Sequence, residues 1–190
     1  MPVEIPDLLE QVAGLLHTLG VPYMVTGSIG STFYGEPRST NDIDLVVDPT
    51  REQLLALLDK MPANWMTSPE AAKDAFNRRT MFNVIHMETS EKVDMILLKD
   101  RDFSRAEFLR RRPERMGNAD IFLLSPEDAI ISKLEWSRLG ESERQYRDAL
   151  SVARARWSTL DVEYIEKWVK ELGLTLLWSR VMNGVRCPPT

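Results

Sequence analysis

The chain has 190 residues, of which 43% are hydrophobic and 28% are charged, and its formal net charge at pH 7 is -5. This length and composition are typical of one globular domain, or of one domain with a small appendage. The negative charge argues against a protein whose whole surface coats nucleic acid, but it allows a local basic patch. Cys187 is the only cysteine, which excludes an intrachain disulfide. We find no stretch apolar enough to span a membrane and no signal-peptide pattern, so we expect a cytoplasmic protein with no membrane partner.

The first part of the chain alternates helix and strand patterns, as an α/β fold with a mixed sheet does. Apolar residues at helical spacing predict helices, and short runs rich in β-branched residues predict strands. Glycine, proline and a capping Thr50 mark the boundaries. The predicted helices cover 6–19, 29–34, 50–60 and 70–78. The predicted strands cover Tyr23–Val25, 42–47, 81–87 and 92–98, and the last two strands are predicted to form a hairpin. A turn-rich connection is predicted over 61–69.

The second part is predicted to be mainly helical. The charge-dense segment 99–115 is interpreted as a solvated helix face, with contact to an RNA or DNA backbone as the alternative. A last strand is expected over 121–124. Serine, proline and two acids at 125–128 then predict a helix start. Further helices are expected over 142–157, 161–172 and 175–185, so we expect an α/β domain over 1–124 and a C-terminal helical bundle over 125–190.

Two carboxylates, Asp42 and Asp44, lie at the start of the second predicted strand. Alternate residues of a strand share a face, so both project the same way with Cα atoms roughly 6.5–7 Å apart. Two anions this close repel one another unless a cation lies between them, and oxygen ligands on a rigid element suit Mg²⁺. The pair therefore predicts part of a metal-phosphate site, although surface strands also carry such pairs.

The residues just before this pair predict a phosphate-binding turn. Gly27 and Ser28 follow a short strand and open a helix, where glycine lets the backbone approach a ligand and the helix N–H groups bind phosphate. Arg38 stands in the turn before Asp42 and could bind a phosphate with two hydrogen bonds.

Here the chain resembles a known family. Gly27-Ser28 followed by Asp42-x-Asp44 resembles the nucleotidyltransferase superfamily, with its DNA polymerase beta-like fold, and YGEPRSTNDIDLVV is similar to AbiEii/AbiGii-type nucleotidyltransferase-like proteins, many of them toxin-like. The resemblance covers most of residues 21–173. It implies transfer of a nucleoside monophosphate from an NTP, with Mg²⁺, or Mn²⁺ in its place, as cofactor.

Asp94 is an acid inside a hydrophobic strand, where an unpaired charge is costly to bury. One interpretation is an edge-strand residue that faces water. The other is a third carboxylate that converges with Asp42 and Asp44 on the same metals, since nucleotidyltransferases similarly carry a third acid on a later strand. In that role Asp94 would help to activate the acceptor hydroxyl and accept its proton.

Lys133 falls on the inward stripe of its predicted helix, where an ammonium group needs an anion. A structural lysine that extends its charge to the surface is the alternative. LSPEDAIISKLEW followed by SERQYRDAL resembles the C-terminal helical motifs of the AbiEii-like proteins. That resemblance implies that Lys133 contacts the triphosphate and that Asp148, on the next helix, completes the nucleotide site.

Three classes of function remain open from the sequence. The first is an active nucleotidyltransferase that modifies RNA, a protein or a small molecule, as a toxin with an antitoxin protein as partner or as another modifying enzyme. The second is a catalytically silent nucleotide-binding or regulatory module. The third is a scaffold in which the acids are structural. The sequence does not identify the NTP or the acceptor.

Overall fold

The structure is a computed structural model and describes residues 5–40 and 42–186. Cys187 and the three residues after it lie outside the described residues. The chain divides into two compact units. The sheet unit contains the described residues up to Thr26 and those from Thr40 to Leu123, and the helical unit contains Gly27–Ser39 and the described residues from Leu124 onward.

The sheet unit is built on a mixed sheet of seven strands among the described residues. The strands are Tyr23–Val25 (β1), Asp42–Val47 (β2), Trp65–Met66 (β3), Met81–His86 (β4), Lys92–Leu97 (β5), Arg112–Met116 (β6) and Ala119–Leu123 (β7). Their order is β3-β4-β5-β2-β1-β7-β6. β2 pairs with β5 in parallel and β1 pairs with β7 in parallel, whereas β1–β2, β3–β4, β4–β5 and β6–β7 are antiparallel. The predicted mixed α/β architecture is therefore confirmed.

The helices of this unit are Ile5–Thr18 (α1), Arg51–Asp59 (α3), Pro69–Arg78 (α4) and Asp102–Leu109 (α5). Side chains cap two of these helices: Thr50 and Gln53 form a reciprocal capping box on α3, and Ser68 caps α4. Arg101, before α5, makes no side-chain cap hydrogen bond. The core includes the inward residues of β2 and β5, whose buried side chains are Ile43, Leu45, Val47, Val93, Met95 and Leu97. This packing fixes which face of the two strands is left for polar side chains.

Two strands depart from the predictions. β3 lies in the segment predicted to be a turn-rich connection, and β6 lies in the segment predicted to be a helix face. Both are edge strands that are defined by hydrogen bonds to β4 and β7, and not by an apolar pattern of their own. Arg111, between α5 and β6, places its guanidinium 4.2 Å from the ring centre of Phe108.

The helical unit contains Gly27–Tyr34 (α2), Pro126–Gly140 (α6), Glu143–Arg156 (α7), Val162–Glu171 (α8) and Thr175–Arg186 (α9). α6 and α7 pack along one another, and α2 packs against both. The predicted starts at Ser125 and Ser142 are confirmed, since each side chain accepts a hydrogen bond from the first turn of its helix. No helix in the described part of the chain is long and apolar enough to cross a membrane.

Candidate functional site

One face of the sheet unit carries a group of polar side chains, which we call the polar face: Asp42 and Asp44 on β2, Lys92 and Asp94 on β5, and Asn83 on β4. The strand registers pair Asp42 with Lys92, Asp44 with Asp94, and Asp94 with Asn83. Register partners project on the same side of a sheet, as do alternate residues of one strand. The three predicted carboxylates therefore share one face, as the period of two along the strands requires.

Asp94 is held in place by its neighbours. Only 9% of the residue is exposed, and its carboxylate accepts a hydrogen bond from the side-chain amide of Asn83. Nζ of Lys92 lies 3.1 Å from the carboxylate. A buried carboxylate requires such donors, because an unsatisfied charge in the protein interior is costly. The interpretation of Asp94 as a water-facing residue of an edge strand does not fit this environment, since β5 lies between β4 and β2.

Lys92 is influenced by all three acids. The hydrogen bond to Asp94 raises the pKa of the Lys92 amine above its ordinary value, against the lowering effect of desolvation, and the charges of Asp94, Asp42 and Asp44 raise it further. The ammonium form of Lys92 thus offsets part of the repulsion among the carboxylates.

The donor set of the polar face suits Mg²⁺. Carboxylate oxygens are the protein ligands that this ion prefers, and it needs one or two of them when substrate phosphates supply the rest. Among the residues that the structure describes, no three His, Cys, Asp or Glu side chains are close enough to enclose a metal ion by themselves. Asp42 and Asp44 therefore fit an ion that is shared with a phosphate ligand, and do not fit a closed all-protein cage.

The remaining predicted site residues lie in the helical unit. Gly27 begins α2 with a φ of +64°, a conformation that favours glycine. Ser28, Arg38, Lys133 and Asp148 form a hydrogen-bonded cluster that we call the basic network. Nη2 of Arg38 donates to Oγ of Ser28 at 2.6 Å and to Oδ2 of Asp148 at 3.0 Å, and Nε of Arg38 donates to Oδ1 of Asp148 at 3.2 Å. Nζ of Lys133 donates to Oδ2 of Asp148 at 2.8 Å.

The basic network explains why Lys133 can face inward. Its side chain is only 6% exposed, and the carboxylate of Asp148 is its counter-ion. Burial raises the pKa of Asp148, but the hydrogen bonds from Arg38 and Lys133, together with the positive charges of these residues, hold that pKa below its ordinary value of 3.8. Two cations and one carboxylate leave the network with a net positive charge, which favours a bound anion.

A cavity of about 350 Å³ borders this network within the helical unit. It is lined by Arg38 and Asp148, by Arg144 and Arg147 of α7, and by four further residues, Glu36, Pro37, Glu143 and Ser151. Arg144 and Arg147 are exposed at its edge. The basic network therefore adjoins open space that an anionic ligand can enter.

The structure gathers the eight predicted site residues into two sets. Asp42, Asp44 and Asp94 lie on the polar face, whereas Gly27, Ser28, Arg38, Lys133 and Asp148 lie in the helical unit. The sequence analysis missed Lys92 and Asn83. Lys92 was accessible from the sequence, since it stands two residues before Asp94 on the same strand, whereas Asn83 required the register of the β4–β5 hairpin.

Comparison with solved structures gives several proteins of similar fold. An antigenic nucleotidyltransferase-like protein from Paracoccidioides brasiliensis aligns with a TM-score of 0.55 and 17% identity over 78% of this chain and 75% of that one. The antibiotic-resistance factor ANT(2'')-Ia aligns with a TM-score of 0.53 and 14% identity over 93% and 92%. The lincosamide antibiotic adenylyltransferase LnuA, bound to lincomycin, aligns with a TM-score of 0.51 and 14% identity over 80% and 98%.

No protein-family model matches the chain, and neither does any curated protein sequence. The structural alignments extend over most of each partner chain, so the likeness includes more than the strands that carry the acids. The chain accordingly has the nucleotidyltransferase fold.

Proposed function

We propose that this protein is a nucleotidyltransferase that transfers a nucleoside monophosphate from an NTP to an acceptor hydroxyl. The observation that carries the proposal is the placement of Asp42, Asp44 and Asp94 on one face of two paired strands. The shared fold supports it, because the solved proteins of similar fold include a lincosamide antibiotic adenylyltransferase and a nucleotidyltransferase-like protein.

In this proposal Asp42, Asp44 and Asp94 would hold Mg²⁺ together with the phosphates of the NTP. When bound, the ion would neutralise the negative charge that develops on the phosphates. The side-chain amide of Asn83 donates a hydrogen bond to the carboxylate of Asp94 and so restricts its position.

In this proposal the basic network is the anion-binding part of the helical unit. Arg38 and Lys133 are held by one carboxylate, so they present fixed positive charge with little loss of side-chain freedom on binding. Gly27 and Ser28 add the N-terminus of α2, whose N–H groups favour a phosphate. Asp148 acts in this scheme by orienting the two cations.

The reaction balances as a displacement at the α-phosphorus. The acceptor oxygen forms a bond to that phosphorus, the bond to the bridging oxygen of the β-phosphate breaks, and pyrophosphate leaves with the bonding electrons. Asp94 accepts the proton of the acceptor hydroxyl, as a general base.

The sequence resemblance supports a narrower proposal, that the protein is an AbiEii-type toxin that acts in the cytoplasm and is neutralised by an antitoxin protein. The acceptor is then an RNA, a protein or a small molecule of the host. This narrower proposal requires the transferase activity, so the same experiment tests its chemical basis.

The test is incubation of the protein with each of the four α-labelled NTPs and Mg²⁺, together with total RNA, protein and small-molecule acceptors. We expect transfer of label by the wild type and a fall of about 100-fold or more in Asp44→Asn, which removes a metal ligand. Asp59→Asn is the matched control, because Asp59 is an exposed aspartate at the end of α3.

The other outcomes identify the alternatives. Binding of NTP in the presence of Mg²⁺ without transfer to any acceptor would indicate a silent nucleotide-binding module. No binding of any NTP, with or without Mg²⁺, would contradict the proposal and leave the scaffold interpretation.

A further inference from the structure

Lys92 places a positive charge among the acids of the polar face. It pairs in register with Asp42 and stands two residues before Asp94, so its side chain lies on the same side of the sheet as all three carboxylates. Its Nζ is 3.1 Å from the carboxylate of Asp94. The side chain is 40% exposed, which leaves it room to move away from that carboxylate.

A lysine at this position has two effects on a metal site. Its ammonium group stabilises three carboxylates that would otherwise repel one another. It also occupies carboxylate lone pairs that a metal ion would use, and its charge repels a divalent ion at short range. Asp94 cannot give the same oxygen lone pairs to Lys92 and to a metal at the same time.

We propose that Lys92 is an internal counter-ion that competes with the divalent cation for Asp94, so that the ammonium leaves Asp94 when metal binds. This inference rests on the metal site assigned under the proposed function. The phosphates of an incoming nucleotide offer the displaced ammonium a new partner. Metal and nucleotide therefore bind together more favourably than the metal alone.

The first experiment measures Mn²⁺ affinity without nucleotide, by electron paramagnetic resonance of the free ion. We expect Lys92→Gln to bind Mn²⁺ about tenfold more tightly than the wild type, because the competing charge is gone while the amide can still donate to Asp94. Lys92→Arg keeps the charge and is expected to bind as weakly as the wild type.

Lys99→Gln is the matched control. It removes the same charge from an exposed lysine just beyond the end of β5, so a general electrostatic effect would act on both variants. We expect a change of less than about twofold for this variant, since exposed charges at a distance are screened. An equal increase in Mn²⁺ affinity in Lys92→Gln and Lys99→Gln, or no increase in either variant, would contradict the proposal that Lys92 competes with the metal ion.

The second experiment follows the lysine itself. In protein labelled with ¹⁵N at lysine, Mg²⁺ is expected to shift the ammonium resonance of Lys92 and to leave that of Lys99 unchanged. A Lys92 resonance that does not respond at saturating Mg²⁺ would refute displacement.

Failure of the inference is distinguishable from failure of the proposed function. If Asp44→Asn abolishes Mn²⁺ binding but Lys92→Gln does not strengthen it, only the role of Lys92 is contradicted. Absence of Mn²⁺ binding in the wild type and in both Lys92 variants, with and without NTP, would remove the metal site and the inference with it.

Discussion

At the scale of single residues, Asp148 shows how the structure supplies a role that the sequence left undefined. An inward-facing Lys133 requires an anion, and the helical pattern alone does not say which one. The structure gives Asp148, which also accepts two hydrogen bonds from Arg38. One carboxylate therefore compensates two cations that are distant from one another in sequence.

We predict that Asp148→Asn lowers the free energy of unfolding by about 3 kcal/mol, because it removes the carboxylate that pairs with the nearly buried Lys133. Urea denaturation at pH 7 measures the change. Glu143→Gln is the comparison, since Glu143 lies on α7 like Asp148 but forms an exposed ion pair, with Arg180 of α9, and its loss should leave the midpoint unchanged. Equal effects of the two substitutions would show that burial of the pair does not matter.

The same variant tests the pKa of Asp148. Since the folded pKa lies below the ordinary value of 3.8, ionised Asp148 stabilises the protein above that pH, and this contribution is lost as the pH falls through the folded pKa. Protonated aspartate and asparagine carry the same charge. The difference in unfolding free energy between wild type and Asp148→Asn should therefore shrink below about pH 4, and a constant difference down to pH 2 would contradict the depressed pKa.

At the scale of elements, the N-terminal starts of helices were more predictable than the edge strands. Thr50, Ser68, Ser125 and Ser142 each accept a hydrogen bond from the first turn of the helix that follows, as their residue types indicate. β3 has two residues and β6 contains three charged ones, so neither has an apolar pattern of its own. Both strands are defined by their pairing with β4 and β7, and a short stretch of sequence contains no information about that pairing.

The packing of α2 against α7 depends on Gly35. A Cβ built at this position would lie 2.5 Å from Oγ of Ser151 and 3.0 Å from the backbone nitrogen of Val152. Ser151 is fixed in turn, since its Oγ accepts a hydrogen bond from the backbone N–H of Glu36 at 2.6 Å. The close approach of the two segments therefore requires glycine.

We predict that Gly35→Ala lowers the free energy of unfolding by about 1–3 kcal/mol, because the added methyl group overpacks this contact. Gly14→Ala is the control, since a Cβ at Gly14 in α1 meets no atom within 4 Å. That substitution should instead stabilise the protein by about 0.5–1 kcal/mol through helix propensity. Chemical denaturation of both variants measures the two changes in the free energy of unfolding, which should be opposite in sign. A Gly35→Ala variant as stable as the wild type would contradict the close packing at Gly35.

At the scale of the whole molecule, the strand order brings Asp94 beside Asp44. β4 and β5 form a hairpin, and β5 then adds to β2 in parallel, so residues fifty positions apart become register partners. The polar face thus depends on a long-range pairing and not on the Asp42–Asp44 motif alone.

We predict that MgATP, or the preferred NTP with Mg²⁺, raises the midpoint of thermal unfolding. At a ligand concentration of 100 times Kd the stabilisation is about 2.7 kcal/mol, which corresponds to about 5–10 °C for a chain of this length. The double variant Asp42→Asn/Asp44→Asn should show no Mg²⁺-dependent shift, whereas Asp59→Asn should behave as the wild type. A shift that survives removal of the divalent ion would contradict a site in which metal and phosphate bind together.

The sequence by itself determined the α/β class, most of the helices and central strands, and the common face of Asp42 and Asp44. These features follow from periodicity and capping, which involve residues close together in the chain. Only the tertiary structure decided the edge strands, the contacts of Asn83 and Lys92 with Asp94, and the pairing of Arg38 and Lys133 with Asp148. Those contacts depend on strand register and helix packing, whose free energy comes from partners far away in the sequence.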